Sequence, residues 1–431
     1  MFKGGVKLLD FKSLSKNSEI EEFKEPDKVV IPLSQHTGAP AKPVVKKGDY
    51  VIEGQVIGEI NGFVSSYVHS SISGKVVDIL PWNLPTNRKF LSIIIENDGQ
   101  KKSIEKIKRD WLKLESNEII NIVRESGIVG LGGAAFPTHV KLTIPEGKKV
   151  EFIIINGCEC EPFLTCDYRV LKQYTDEVIE GLQIICKATN VKKAFIGIEH
   201  NKIDLVPLLN NSIKNLKIYL EVEIKILPEK YPQGSEKHLI KSILNREIPS
   251  GGLPIDVGCL VFNVQTTMAV KRAVCDGIPL TERILTCSGL VKSPKNLKVK
   301  IGTLISEILN FCEGEIKSKR KLVVGGPMMG IQIPYPDVPV IKGTTGILLL
   351  PEENIPEKVQ PCIRCGKCLE VCPMFLAPSE IGRYVEKDRF DKCENLNVFD
   401  CIECGCCSYI CPSKRPLVDF IKYAKFKLRK K

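Results

Sequence analysis

The segment Cys362-x-x-Cys365-x-x-Cys368-x-x-x-Cys372-Pro373 is repeated as Cys401-x-x-Cys404-x-x-Cys407-x-x-x-Cys411-Pro412. The four motif cysteines of the second copy each lie 39 positions after their counterparts, so the two copies form an internal repeat. Three thiolates at two-residue gaps suit three irons of one cubane, whereas the cysteine before the proline lies too far along the chain to bind the fourth. The pattern therefore predicts two [4Fe–4S] clusters that exchange their fourth ligands.

The predicted ligands divide into two sets of four cysteines. The first cluster takes Cys362, Cys365, Cys368 and Cys411, and the second takes Cys401, Cys404, Cys407 and Cys372. Thiolate quartets also bind zinc, but zinc sites usually separate two cysteine pairs by a longer spacer. Two aligned triplets, each followed by Cys-Pro, favour clusters. Cys393 and Cys406 are left over, and we interpret Cys406 as a packing residue.

Composition places the chain among soluble globular proteins. It has 431 residues, 43% apolar and 26% charged, enough for about three domains. Its apolar runs are far shorter than the ~20 residues of a membrane span, and no secretory signal is predicted at its start. Eighteen cysteines favour metal or redox chemistry, because disulfides are rare where thiols stay reduced. The net charge of +11 suits anionic partners, but no aromatic–basic pattern predicts nucleic-acid binding.

Strand and helix patterns predict a multidomain α/β fold with four domains. These are a lipoyl-like β-sandwich (1–112), an α/β domain (113–280), a β-grasp-like domain (281–352) and a helical two-cluster ferredoxin-like module with a basic tail (353–431). The hairpin at residues 61–66 has no lysine for a carrier modification, so we interpret the sandwich as an unmodified packing module. Ser116 is a candidate cap for the first helix of the α/β domain.

The tail is predicted to be an amphipathic helix. Its apolar stripe consists of Leu417, Ile421, Ala424 and Leu428, and its basic face of Lys422, Lys425, Arg429 and Lys430. Packing of the stripe on the ferredoxin-like module and docking of the basic face on an acidic subunit or anionic lipid are both compatible with this pattern.

A glycine-rich loop, Gly130-Leu131-Gly132-Gly133-Ala134-Ala135-Phe136-Pro137-Thr138, precedes Lys141. Glycines permit close backbone approach, and successive amides can cradle a phosphate, to which Lys141 adds positive charge. A simple turn explains the glycines alone equally well. The loop does not follow a strand in the order Gly-x-Gly-x-x-Gly, so it is not an ordinary Rossmann fingerprint.

Acidic and amide residues follow the apolar run at residues 152–155, in the order Asn156-Gly157-Cys158-Glu159-Cys160-Glu161-Pro162. If that run is a buried strand, these residues occupy its carboxyl end, which is the usual ligand crevice of an α/β sheet. Thr165, Asp167 and Arg169 come next, at a predicted helix start. The alternative interpretation is helix capping with a surface ion pair.

Together these segments resemble the C subunit of the Rnf electron-transport complex. The similarity includes the glycine loop, the Asn-Gly-x-Glu-x-Glu-Pro stretch with Thr-x-Asp-x-Arg, and the paired cysteine motifs. It also includes residues 31–40 and 231–237, so it extends in one order over nearly the whole chain. The middle domain further resembles the NADH- and FMN-binding subunit of respiratory complex I, and the β-grasp-like domain would be of the SLBB type.

The complex I resemblance implies roles for individual residues. Gly130, Gly132, Gly133 and Lys141 would hold the FMN phosphate, and Asn156 and Glu159 would face the flavin. Phe136 would stack on the nicotinamide or adenine, with Glu161 near the NADH ribose. The pocket would be closed by Gly234, Glu236, Asn263 and Thr266. Leu131 stands where complex I has an arginine, and Ser235 where it has a glutamate, so this chain offers fewer fixed charges.

The resemblance implies a peripheral NADH dehydrogenase subunit of an ion-translocating ferredoxin:NAD⁺ oxidoreductase, with FMN, NAD(H) and two [4Fe–4S] clusters as cofactors. Its partners would be membrane subunits, a ferredoxin-like B subunit and, indirectly, ferredoxin, at the cytoplasmic face of the membrane. One alternative is a flavin and iron–sulfur cobalamin reductase. Another, from a different class, is an electron-relay adaptor that binds no nucleotide.

Overall fold

The computed structural model describes residues 2–216, 220–317, 319–352 and 358–429. The predicted domain boundary at residue 353 and the tail residues Lys430 and Lys431 lie outside this part of the chain. The multidomain α/β fold class is confirmed. Among the described helices, none is long and apolar enough to cross a membrane.

The N-terminal part forms two small facing sheets. Their orders are β2-β8-β7-β4 and β3-β5-β6, and alternate residues such as Val29, Ile31, Ile93 and Ile95 fill the space between them. The strands of this part are β1 (Ile20–Glu22), β2 (Lys28–Pro32), β3 (Lys42–Pro43), β4 (Tyr50–Val51), β5 (Val56–Glu59), β6 (Val68–His69), β7 (Gly74–Asn83) and β8 (Lys89–Asn97).

The middle domain has a four-stranded parallel sheet of order β11-β10-β9-β12. Its elements are α1 (Ser116–Glu125), α2 (Thr138–Leu142), β9 (Phe152–Gly157), α3 (Cys166–Gln173), α4 (Thr175–Thr189), β10 (Lys193–Glu199), α5 (Val206–Asn215), β11 (Glu221–Leu227), α6 (Glu236–Leu244), β12 (Cys259–Asn263) and α7 (Val264–Asp276). The central strands are apolar because helices cover the sheet. Residues that follow β9 and β12 therefore meet at one edge.

The prediction that Ser116 caps the first helix is wrong. Glu115 is the cap residue and Ser116 is the first helical residue. The Glu118 carboxylate accepts from the Glu115 backbone amide at 2.7 Å. This bond satisfies one free amide at the helix start, and the residue that provides it lies three positions after the cap.

The third sheet is mixed, with the order β1-β14-β13-β17-β15-β16. Its additional elements are β13 (Glu282–Gly289), β14 (Lys295–Lys300), α8 (Ile305–Phe311), β15 (Arg320–Val324), β16 (Ile331–Ile333) and β17 (Gly346–Pro351). One helix packed on such a sheet agrees with the β-grasp-like expectation. The edge strand β1 comes from the N-terminal part of the chain and pairs in parallel with β14.

The C-terminal module is helical. It contains α9 (Lys367–Glu370), α10 (Pro378–Val385), α11 (Phe390–Glu394), α12 (Cys406–Ile410) and α13 (Leu417–Arg429). The predicted stripe packs inward: Leu417, Ile421 and Ala424 are buried, and Leu428 contacts the module core.

The placement of Lys425 on the free basic face is wrong. Its side chain is only 8% exposed, and Nζ donates to the Cys401 carbonyl at 2.6 Å and lies 2.8 Å from a Glu403 carboxylate oxygen. The lysine is adjacent to Ala424 of the stripe, and a long stem at that position reaches the cysteine loop below the helix. Lys422 and Arg429 are exposed, as predicted.

An N-terminal arm, residues 2–8, lies between the middle domain and the C-terminal module. The Gly5 amide donates to the Val371 carbonyl at 2.8 Å, and Val6 pairs with Tyr231 in an antiparallel bridge. The Phe2 ring packs against His238 with the ring centroids 4.5 Å apart. The arm therefore joins two domains that are far from it in sequence.

Candidate functional site

The glycine loop is closed on itself and leaves its tip free. The Gly130 amide donates to the Phe136 carbonyl at 2.8 Å. The amides of Gly132, Gly133 and Ala134 donate no hydrogen bond to any residue that the structure describes. Gly133 has φ of +111°, and a Cβ built there meets no atom within 4 Å. Three free amides on an exposed glycine turn fit a bound phosphate.

Two neighbouring elements hold this loop in place. Thr37 of the N-terminal sandwich makes two hydrogen bonds to the loop. Its hydroxyl donates to the Ala134 carbonyl at 2.7 Å, and the Thr37 backbone amide donates to the Ala135 carbonyl at 3.0 Å. On the other side, the Leu131 amide donates to the Thr266 hydroxyl at 2.8 Å. Thr266 thus supports the predicted phosphate loop from the start of α7.

Asn156 and Gly234 lie together at the end of β9. The Asn156 side-chain amide donates to the Gly234 carbonyl at 2.7 Å, and its oxygen accepts from the Cys158 amide at 3.2 Å. The Gly234 amide in turn donates to the Cys160 sulfur at 3.3 Å. A Cβ on Gly234 would lie 3.2 Å from that sulfur, so the glycine permits this close approach.

Glu159 and Asn263 are joined through Asp167. A Glu159 oxygen accepts from the Asp167 amide at 2.7 Å, at the start of α3. The Asp167 carboxylate accepts from Asn263 at 2.6 Å and from Gln265 at 2.8 Å. Burial, and then the charge of Glu159, raise the pKa of Asp167 to about 6. Glu159 therefore caps the start of α3, as the helix-capping interpretation predicts. Asn263 caps α7 and lies beside Gly132.

Lys141 and Glu236 form an ion pair with 2.6 Å between Nζ and a carboxylate oxygen. Lys141 Nζ also donates to the Val261 carbonyl at 2.5 Å. The ammonium group of Lys141 therefore already contacts β12 and Glu236, so its charge is partly neutralised by a carboxylate. Phe136 is half-buried at the base of the glycine loop.

Glu161 has an enclosed carboxylate that links three segments. Its oxygens accept from the Met328 and Met329 amides, each at 3.0 Å, and one lies 3.2 Å from the Tyr231 hydroxyl. Burial raises the pKa of this carboxyl group, and the two amides and the hydroxyl oppose the rise. A Cβ on Gly326 would lie 2.2 Å from a Glu161 oxygen, so a larger residue there would displace the Glu161 carboxylate.

A cavity of about 800 Å³ opens beside the glycine loop and Glu161. This volume is near the upper end of the range for small-molecule and cofactor sites, about 300–1,000 Å³. Of the predicted nucleotide residues, Gly132, Gly133 and Glu161 line it. The remaining walls come from the N-terminal sandwich and the third sheet, which the sequence did not connect with this site.

The thiols of the predicted second cluster gather in one place. A small apolar pocket is lined by Cys372, Cys401, Cys404 and Cys407, together with the leftover Cys406. Cys372 thus lies with the triplet of the other repeat, which is the arrangement that ligand exchange requires. Amides already donate to two of the sulfurs at 3.3 Å: Leu376 to Cys372, and Glu403 to Cys401. This all-thiol donor set fits a [4Fe–4S] cluster.

The thiols of the predicted first cluster are more open to solvent. Cys368 and Cys411 pack in one apolar group with Leu417, whereas Cys362 is half-buried and Cys365 is exposed. Ligation by these four residues stays a prediction, like that of the second set.

The repeat extends to the backbone. Arg364 and Glu403 occupy equivalent positions with φ of 56° and 58°, and Gly366 and Gly405 both have φ of 77°. Left-handed residues within a short loop turn successive amides toward a common centre. Both cysteine loops are therefore wound in the same way, including at two non-glycine positions that sequence reasoning did not identify.

Sequence reasoning also missed a buried lysine that shapes the acidic loop. Lys12 Nζ donates to the carbonyls of Glu159, Glu161 and Leu164 at 2.6–3.0 Å. Lys202 Nζ donates to the Cys158 carbonyl at 2.5 Å in the same loop. Neither lysine lies in a motif, so no local signal pointed to them.

Three family models match successive parts of the chain. Residues 1–100 match the RnfC barrel sandwich hybrid domain, and residues 123–272 match the Nuo51 FMN-binding domain. Residues 358–415 match the 4Fe-4S dicluster domain. A structure of an NAD⁺-reducing [NiFe]-hydrogenase in the H₂-reduced state is similar with a TM-score of 0.53 and 18% identity, over 73% of this chain and 62% of that chain. At that identity the likeness concerns the fold alone.

Relatives that match nearly the whole chain show which family it belongs to. The C subunit of the proton-translocating ferredoxin:NAD(+) oxidoreductase complex of Clostridium ljungdahlii is 48% identical, over 98% of this chain and 93% of that protein. The C subunit of the Na(+)-translocating complex of Acetobacterium woodii is 44% identical, over 98% and 96%. The C subunit of an ion-translocating oxidoreductase complex of Rhodobacter capsulatus is 40% identical, over 99% and 83%. The chain therefore belongs to the family of C subunits of ion-translocating ferredoxin:NAD(+) oxidoreductase complexes, the Rnf C subunits.

Proposed function

We propose that this chain is the NAD(H)-linked subunit of such a complex and passes electrons between NAD(H), FMN and two [4Fe–4S] clusters. FMN, when bound, converts two-electron hydride chemistry into single electrons, which iron–sulfur clusters carry one at a time. The chain's own part is to hold the nucleotides at the edge of the parallel sheet and to keep the cluster thiols close to them. The free amides of the glycine loop support the first task.

The observation that carries this proposal is a direct link between the nucleotide cavity and the second set of thiols. The Tyr231 hydroxyl lies 2.9 Å from the Cys404 carbonyl oxygen and 3.2 Å from the Glu161 carboxylate that lines the cavity. Gly405 approaches the third domain so closely that a Cβ there would lie 3.1 Å from the Met328 carbonyl oxygen. Short separation favours electron transfer, so the second cluster would be the one next to the flavin.

The test is an anaerobic titration of the reconstituted protein with NADH. We expect about eight irons and one FMN per chain, bleaching of the flavin absorbance, and then reduction of the clusters, because both cofactor sites are within one folded unit. Dithionite reduction of the same sample gives the full cluster amplitude for comparison. Flavin that stays oxidised with NADH, or a preparation that binds no flavin, would instead support an adaptor.

We further propose that the protein is peripheral at the cytoplasmic face of the membrane, with the membrane subunits, the ferredoxin-like B subunit and indirectly ferredoxin as partners. Lys422, Lys427 and Arg429 on α13 support this proposal, because all three are positively charged and exposed on the cluster module. Each basic residue near an anionic surface contributes about 1 kcal/mol, and the attraction decays over about 8 Å at physiological salt.

Reversing these three charges to glutamate should weaken attachment to membranes that contain the other subunits. The variant is expected to leave the membranes at lower salt than the parent, with NADH-to-dye activity nearly unchanged, as measured by salt-wash sedimentation. A matched control reverses three exposed lysines of the N-terminal sandwich, Lys42, Lys46 and Lys75. Equal salt release of parent, variant and control would show that the tail is not the docking surface.

A further inference from the structure

The N-terminal sandwich forms part of the nucleotide cavity. Residues 34–37 and five residues at positions 84–90 line it, together with residues of the third sheet and its loops. The first segment is fixed to the glycine loop through Thr37. The second segment is a hairpin that is anchored to the third domain. Asn87 donates to the Gln332 carbonyl of β16 at 3.0 Å, and Trp82 donates to the Asp337 carbonyl at 3.0 Å. The cavity therefore extends from the glycine loop to this hairpin.

Gln35 presents an unused donor at the cavity wall. Its side chain is 2% exposed, and its oxygen accepts from the Lys342 amide at 3.1 Å. Its Nε2 has no hydrogen-bond partner among the described residues. A buried amide without a partner is costly, and an acceptor on a bound ligand would satisfy it.

Arg88 is the one cation among the described residues that line the cavity. The neighbouring His36 is neutral at pH 7, because burial lowers its pKa to about 4. Arg88 is exposed and forms no ion pair with any described residue. A guanidinium group without a carboxylate partner at the mouth of a cavity is well suited to bind phosphate.

We propose that the N-terminal sandwich completes the dinucleotide site: Arg88 binds the phosphates toward the adenosine end of NAD(H), and Gln35 donates to the same ligand. This inference rests on the proposed function and adds residues of the N-terminal sandwich to the site. The nicotinamide must reach a flavin held beside the glycine loop. The rest of the dinucleotide then extends toward the far wall, where the hairpin and Arg88 lie.

The adjacent residue provides a matched control. Arg88 and Phe90 line the cavity, whereas Lys89, the first residue of β8, is exposed and does not line it. The variants Arg88→Glu and Lys89→Glu therefore change charge equally at adjacent exposed positions. Both proteins are reconstituted with FMN and clusters, and steady-state dye reduction is measured with NADH and with reduced nicotinamide mononucleotide, which lacks the adenosine monophosphate half.

For Arg88→Glu we expect at least a tenfold rise in KM for NADH, a kcat within twofold of the parent, and an unchanged KM for the mononucleotide. Inhibition by ADP-ribose should weaken by a similar factor, while Lys89→Glu behaves like the parent. An unchanged KM for NADH, or equal losses with both substrates, would overturn the inference while the proposed function stands. A parent protein that binds FMN but does not react with NADH would overturn both.

Discussion

Replacing Gly133 by glutamate is expected to abolish retention of FMN. Gly133 has φ of +111°, a conformation that side chains rarely adopt, and its position faces open space at the tip of the glycine loop. A glutamate there would change the direction of the free amides and place a negative charge where they attract a phosphate. Flavin content after gel filtration should fall from about one per chain to near zero, while the iron content stays at that of the parent.

Gly147→Glu is the matched control for this variant. Gly147 also has a positive φ, +77°, and a Cβ there also meets no atom within 4 Å, but the residue lies in the loop before β9 and does not line the cavity. Strain and added charge are thus similar, and only the location differs. Full FMN retention in Gly133→Glu, or equal loss in both variants, would contradict the assignment of the loop as the phosphate site.

Cys404→Ala and Cys365→Ala are each expected to lose about four irons per chain, because a cubane with three thiolates is poorly held. Their electron-transfer defects should differ. Cys404 is buried, and its carbonyl lies beside Tyr231 at the nucleotide cavity, whereas Cys365 is exposed and does not line the cavity. NADH should therefore still reduce the remaining cluster rapidly in Cys365→Ala and only slowly in Cys404→Ala, as followed by stopped-flow absorbance.

Cys393→Ala controls for the loss of a buried thiol. Cys393 is fully buried in the module core and lies outside both repeats, with its sulfur 3.8 Å from the Ile381 carbonyl oxygen. This variant should keep the parent's iron content and spectrum. Unchanged iron content in either Cys404→Ala or Cys365→Ala would show that the proposed ligand sets are wrong. Equal rates of cluster reduction by NADH in the two variants would show that the second cluster is not the one next to the flavin.

Local patterns predicted the fold class and two local groupings of residues. The apolar run at residues 152–155 became β9, and its carboxyl end brought Asn156 near Gly234, as the crevice of a parallel sheet requires. The cysteine spacing predicted that Cys372 would join the triplet of the other repeat, and the two do lie together. These predictions succeeded because each depended on short spacing or on one strand end.

The contacts that sequence reasoning missed are long-range and have no periodic signal. Lys12 reaches the acidic loop about 150 residues further along the chain, and its burial could not be read from a single lysine. Helical spacing puts Lys425 off the apolar stripe of α13, yet its side chain reaches the Cys401 carbonyl. The contribution of residues 34–37 and Arg88 to the cavity likewise depends on how whole domains pack.

The N-terminal arm has a consequence for the order of assembly during synthesis. Residues 2–8 leave the ribosome before any of the domains they join, but the Val371 carbonyl that receives the Gly5 amide is made more than 360 residues later. At 5–20 residues per second, this interval is roughly 20–70 s. The bridge between Val6 and Tyr231 can form as soon as the middle domain has emerged, whereas the bond from Gly5 to Val371 cannot form until the ferredoxin-like module has been made. Docking of the arm on the Val371 region is thus a late event in the folding of this chain.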